Sequence, residues 1–279
     1  MPVDTHVHVV GDPARYPFSA DRSYTPGQAT LQQLESVAGQ AGINRFVVVQ
    51  PSFYGTDNTL LLDTLAALGP RGAGVAVLDP ETTGEGDALR LAASGIQGLR
   101  LNLYSGPGAG PGLGERFRAM SALAKRMRAH VEVIATLPAL VEAADVLEQS
   151  EVAVVIDHYG LPIPERPGGA AGQRLLALVQ RPHVWMKLSA PYRVTEERLG
   201  IEPDADWLAA LLEAAPGRCV WGSDWPHTPA HEDQPGGGGE APYRPIDYGA
   251  LVAAFRAAVG DRGLADQVMR ENALKLYGF

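Results

Sequence analysis

Two histidines two residues apart, His6 and His8 in "VDTHVHVV" (3–10), are the first side chains in the sequence whose spacing suggests chemistry. Strand side chains alternate between faces, so the two imidazoles and Asp4 are expected on one side, with Thr5, Val7 and Val9 on the other. Three polar groups turned into one interior cost several kcal/mol unless pairing or function retains them. Imidazoles can move a proton, polarise a carbonyl or bind a metal. Further polar residues recur downstream at regular intervals: Ser52, Asp79, Asn102, Tyr104, Asp157, His158, Ser189 and Asp224.

Those intervals follow an alternation of strand and helix. After the first strand, "TLQQLESVAGQAG" reads as a helix with Thr30 as N-cap and Gly42 as its stop. "INRFVVVQP", "RGAGVAVLDP", "IQGLRLNLY", "HVEVIATL", "EVAVVIDH", "HVWMKLSA" and "RCVWGSD" read as seven more apolar strands, each followed by an amphipathic stretch, with helices near 247–259 and 262–272 closing the chain. Eight such units predict an α/β fold, one (β/α)8 TIM-like barrel over residues 1–279. A doubly wound sheet would announce a glycine-rich turn after its first strand, where this sequence has only Gly11. In a barrel the recurring polar residues fall at the carboxyl ends of strands, the face that carries catalysis.

The 279 residues are 46% hydrophobic, enough for a large core, and the formal net charge of −9 argues against nucleic acid or anionic membrane as partner. Cys219 is the only cysteine, so no disulfide forms within the chain and a cytoplasmic setting is expected. No leader and no membrane-length apolar run is read. The glycine-rich stretch 105–114 lacks the Gly-Lys-Ser/Thr ending of a phosphate loop and, like 230–245, reads as a mobile cover.

"DTHVH", the sixth-strand end "VIDHYG" and the eighth-strand end "VWGSDWPH" together resemble the amidohydrolase superfamily. "QPSFYGTDN" and "RLNLY" are similar to its branch containing 2-pyrone-4,6-dicarboxylate hydrolase and sugar-acid lactone enzymes, and the similarity spans residues 3 to 277. The resemblance implies that His6, His8 and Asp224 face one another across the barrel mouth and that His158 completes the ring. It further implies that Asp224 takes a proton from water, the water attacks a carbonyl, and the histidines draw charge from the carbonyl oxygen, with or without a metal. A carboxylate base flanked by such partners is chemically competent.

For the substrate, Arg100 and Arg193 are candidate carboxylate clamps, and Ser52, Tyr54 and Asn58 are candidate hydrogen-bond donors. No cofactor is expected to be required. The alternative is one divalent ion, Zn2+, on His6, His8, Asp224 and His158. The fifth strand ends in Ile134, Ala135 and Thr136, with no further ligand, and Glu132 stands too early to reach the mouth. Departures from the pyrone branch at Leu161, Ile134 and Ser105 or Gly106 point away from a doubly anionic substrate, toward a lactone with one carboxylate.

The expected activity is therefore hydrolysis of a lactone or similar cyclic ester of a small anionic substrate. The alternatives are a lactone isomerase or decarboxylase using the same site, or a non-catalytic barrel that binds a small acid. A homo-oligomer is compatible with the sequence. Asp157 is expected to face away from the site as a structural partner, and His227 to stand behind Asp224. His130, His183 and Cys219 are expected to be structural, and alternation leaves the face of Lys187 undecided.

Overall fold

The computed structural model describes residues 1–104, 112–195, 200–229 and 240–279. The loop tips expected as covers, 105–111 (with Ser105 and Gly106) and 230–239 (with His231), lie outside the described residues. The strands are β1 (Val3–Val7), β2 (Thr25–Pro26), β3 (Arg45–Val49), β4 (Gly72–Ala76) and β5 (Ile96–Asn102), followed by β6 (His130–Ile134), β7 (Val154–Ile156), β8 (Val184–Ser189), β9 (Cys219–Gly222) and β10 (Glu240–Ala241). Eight of them form one parallel sheet in the order β1-β3-β4-β5-β6-β7-β8-β9. At the seam Asp224 N donates to His6 O at 2.9 Å and His8 N to Trp225 O at 2.8 Å, so the sheet nearly closes into a barrel. The expected (β/α)8 architecture is thus present. The short pair of β2 with β10 was not expected; it ties the loop after β1 to the loop after β9.

Helices cover the outside for readable reasons. Thr30 caps Leu31–Gln40 through a reciprocal capping box with Gln33, and the chain leaves that helix through Gly42 at φ 73°. Phe46 and Val48 of β3 pack outward against the helix layer, while Val47 and Val49 face the barrel axis with Val3, Val75, Val155 and Val220. Ala273 and Tyr277 of the last helix, Asn272–Tyr277, plug this inner cluster beside Val3 at the start of β1. The stretch "ALVEAADVLEQS" forms two short helices, Leu137–Glu142 and Ala144–Glu148, rather than one.

The first strand departs from simple alternation. Asp4 pairs with Phe46 but Val7 pairs with Val48, so β1 carries one extra residue between them. A one-residue slip exchanges faces. Asp4 therefore turns outward, accepting from Tyr248 at 2.8 Å, Ser223 N at 2.9 Å and His6 N at 3.1 Å, and does not join the histidines as expected.

Gly222 lies against this bulge. A Cβ there would stand 2.7 Å from His6 Cβ and 2.8 Å from His6 N. Gly222→Ala is expected to force the seam apart and lower stability by about 1–3 kcal/mol, as overpacking generally does. An unchanged urea midpoint would contradict this close approach.

Candidate active site

The mouth of the barrel is built from strand ends whose backbones are bent to aim side chains inward. His158, Ala190, Asp224 and His227 all have positive φ (51°, 51°, 59° and 68°), a costly conformation for residues with a Cβ. The bend at His158 breaks alternation, so both it and Asp157 face the interior. That corrects the expectation that Asp157 points away: its Oδ1 lies 3.4 Å from His6 Nδ1.

Asp224 is 1% exposed. Its Oδ1 faces His8 Nε2 at 3.3 Å and His6 Nε2 at 3.5 Å. Oδ2 accepts from Tyr192 OH at 2.7 Å and Arg193 Nε at 2.9 Å. Burial alone would raise the Asp224 pKa, but the Arg193 guanidinium, then His158, His8 and His6, hold it well below the usual carboxylate range. Burial and the Asp224 charge push the Tyr192 phenol well above 10, so it remains a donor.

The structure therefore brings His6, His8, His158 and Asp224 together. His158 Nδ1 pairs with Ser189 Oγ at 2.8 Å, and its ring lies 4.8 Å from that of His6. Burial lowers the His158 pKa to about 4, partly offset by Asp224 and Asp157. Two groups of donor atoms are close enough to share an ion: His6, His8 and Asp224, and His6, Asp157 and His158.

A pocket of about 30 Å3, room for one or two waters, is bounded by His8, His158, Asp224, Arg193, Arg100, Ser52 and Ile134. It adjoins a cleft of about 590 Å3 through Ser52, Arg100 and Asn102, within the range usual for small-ligand sites. Arg100 donates to Gln50 O at 2.8 Å, while its buried Nε has no partner among the described residues. Arg193 lines the pocket but is also anchored on Asp224 and on Thr228 Oγ1 (2.7 Å).

Two expected donors stand elsewhere. The Tyr54 hydroxyl accepts from Gly11 N at 3.2 Å within a cluster of Phe18 and Phe53. Asn58 spends both ends of its amide on the backbone, donating to Thr56 O and Val77 O and accepting from Val77 N. Both hold the wall rather than line the pocket.

Sequence reasoning missed Tyr24, which lines the pocket from the long loop after β1, and Tyr192, one residue before an arginine it had singled out. It also missed the layer beneath the site. Glu132 and Lys187 form an ion pair at the barrel axis; Lys187 Nζ lies 3.2 Å from His6 Nδ1 and 3.7 Å from Asp157 Oδ1. Burial and the Asp157 charge work to raise the Glu132 pKa, but Lys187, His130 and His6 hold it below its usual value. Glu132 does stop short of the mouth, yet it faces the interior beneath His6.

A His-x-His pair on the first strand of a parallel barrel, facing an aspartate beyond the last, defines a hydrolase site of amidohydrolase type. The chain belongs to the amidohydrolase family, whose sequence profile matches residues 3–279. It is 29% identical to a 4-sulfomuconolactone hydrolase of Rhizobium radiobacter over 99% of this chain and 89% of that protein. A solved structure assigned as a 2-pyrone-4,6-dicarboxylic acid hydrolase, from Pseudomonas putida, is 28% identical and superimposes with a TM-score of 0.82 over 99% of this chain and 97% of that one. An amidohydrolase of Burkholderia multivorans, solved with zinc bound, shares the fold at 18% identity, with a TM-score of 0.70 over 100% and 99% of the two chains.

The buried histidines make stability depend on pH. Burial brings both His158 and His227 to about 4, below the roughly 6.5 of an unfolded histidine. As pH falls from 6.5 toward 4 the unfolded chain binds protons that these two refuse. Stability present above pH 6.5 is thereby lost, by at most about 3 kcal/mol for each. Metal-free protein is expected to show a lower urea midpoint at pH 5.0 than at pH 7.5, with a smaller drop in His227→Phe. Equal midpoints at the two pH values would contradict the buried neutral state.

Proposed function

We propose that this chain is a hydrolase that opens a lactone, or a similar cyclic ester, of a small carboxylated substrate with water activated by Asp224. The observation that carries this reading is a buried carboxylate, held below the usual carboxylate range, with His6 and His8 against its Oδ1 and, beside it, a pocket for one or two waters lined by His8, His158 and Asp224. Asp224 Oδ1 takes a proton from the water as its oxygen bonds to the carbonyl carbon. The ring C–O bond then breaks, and Asp224 returns the proton to the departing oxygen. His6 and His158 offer hydrogen bonds where charge builds on the carbonyl oxygen.

Arg100, with its unpartnered Nε, holds the substrate carboxylate, and Ser52 donates beside it. An anion that also engages Arg193 loosens that residue's hold on Oδ2 and returns basicity to Asp224. The hydrolase names of the Rhizobium and Pseudomonas proteins support the substrate class. No step of this reading runs through a metal; a divalent ion, if bound, would be held by His6, His8 and Asp224 and would polarise the carbonyl.

The substrate is a free small anion, and neither nucleic acid nor membrane takes part. Among the described residues no helix is long and apolar enough to cross a membrane. The single, buried Cys219 thiol suits the cytoplasm.

A screen of five- and six-membered lactones and enol esters for proton release at neutral pH, run on wild type and Asp224→Asn in parallel, tests the assignment. Asp224→Asn is expected to fold and to lose about two to four orders of magnitude in turnover; full activity in that variant would refute the role of Asp224. Arg100→Met is expected to weaken an anionic substrate by about 2–5 kcal/mol while sparing an uncharged analogue. Arg193→Met, which also frees Asp224, is expected to slow both substrates. Equal losses for the two substrates in Arg100→Met would make Arg100 a wall residue.

A further inference from the structure

We propose that Lys187 is a positioning residue that fixes His6 as a hydrogen-bond donor toward the reaction centre and thereby keeps a divalent metal off the His6–His8 pair. The proposal rests on the reading of His6, His8 and Asp224 as that centre. Lys187 lies wholly buried at the barrel axis, paired with Glu132, with Nζ 3.2 Å from His6 Nδ1. An ammonium group has three donors and no acceptor. His6 Nδ1 must therefore supply the lone pair. A neutral imidazole carries one N–H, which then sits on Nε2. That atom has no hydrogen-bond partner among the described residues and lies 3.5 Å from Asp224 Oδ1.

Asp157 could impose the opposite tautomer, since its Oδ1 is 3.4 Å from the same Nδ1. Neither of its oxygens makes a hydrogen bond, however, whereas the Lys187 contact does. His8 is held differently: its Nδ1 lies 2.8 Å from Val49 O and its Nε2 3.3 Å from Asp224 Oδ1, so each ring nitrogen faces an acceptor.

A metal on this pair needs lone pairs on both Nε2 atoms. Moving the His6 proton to Nδ1 would set N–H against N–H across 3.2 Å, beside a positive charge. The donor set therefore has the right atoms at the right spacing, but the layer beneath it opposes their use.

Two measurements on metal-free protein without substrate test this, so a failed lactone screen leaves them standing and their failure leaves hydrolysis standing. Two-bond 1H–15N spectra of histidine-labelled protein are expected to show His6 with its proton on Nε2, and Lys187→Met to lose that preference. Titration with zinc alone is expected to show about tenfold or more tighter binding in Lys187→Met than in wild type, the usual scale of groups standing behind metal ligands. Because Lys187→Met strands a buried Glu132, the double variant Glu132→Gln/Lys187→Met is measured alongside. A wild-type His6 protonated on Nδ1, or zinc affinity unchanged in both variants, overturns the proposal.

Discussion

An ionised carboxylate buried in a barrel mouth is the constraint on which the rest of this structure depends. Removing such a charge from water costs several kcal/mol, and the cost must be met by partners fixed in place. Asp224 has two sets of them. Arg193 and Tyr192 hold Oδ2 from the turn after β8, and the edges of His6 and His8 face Oδ1 from β1. One oxygen is thus anchored and the other is left facing the pocket. The seam between β1 and β9 lies in the same place: β1 carries the two histidines, the turn after β9 carries Asp224, and Gly222 lets the strands approach.

Polarity is layered along the barrel axis. An apolar plug of Val3, Val75, Val155, Val220 and Tyr277 seals the end where β1 begins. Above it Glu132, Lys187 and Asp157 form a wholly buried charged layer that touches the back of His6. Above that lies the mouth with its small pocket, open on one side to the larger cleft. The buried charges replace what would otherwise be hydrocarbon, so their role is to orient and polarise His6 rather than to add stability, for which a buried ion pair is a weak device.

The eight strands, their helices, the capping of Leu31–Gln40 and the inward pair His6 and His8 were legible because each is a local pattern of period two or 3.6 or a cap signal. Errors fell where the backbone left that pattern. A bulge turned Asp4 outward, and a left-handed bend turned His158 inward beside Asp157, which follows Val155 to the interior by ordinary alternation. Glu132 and Lys187 meet from strands 55 residues apart, a pairing no local window contains. Tyr54 and Asn58 stand in the right loop, but whether a polar side chain serves substrate or backbone depends on how that loop folds back on Gly11 and Val77. Tyr192 had a signal in its place beside Arg193 at a strand end; Tyr24, in a long irregular loop, had none.

The central claim, that Asp224 stays ionised in its buried setting, can be measured without a substrate. The 13C shift of its side-chain carboxyl, assigned by comparison with Asp224→Asn, would be followed in metal-free protein from pH 8 to pH 5. The expected result is a carboxylate shift that does not move across that range, since its neighbours hold the group well below the usual carboxylate pKa. A titration of that carboxyl with its midpoint inside the range would contradict the account.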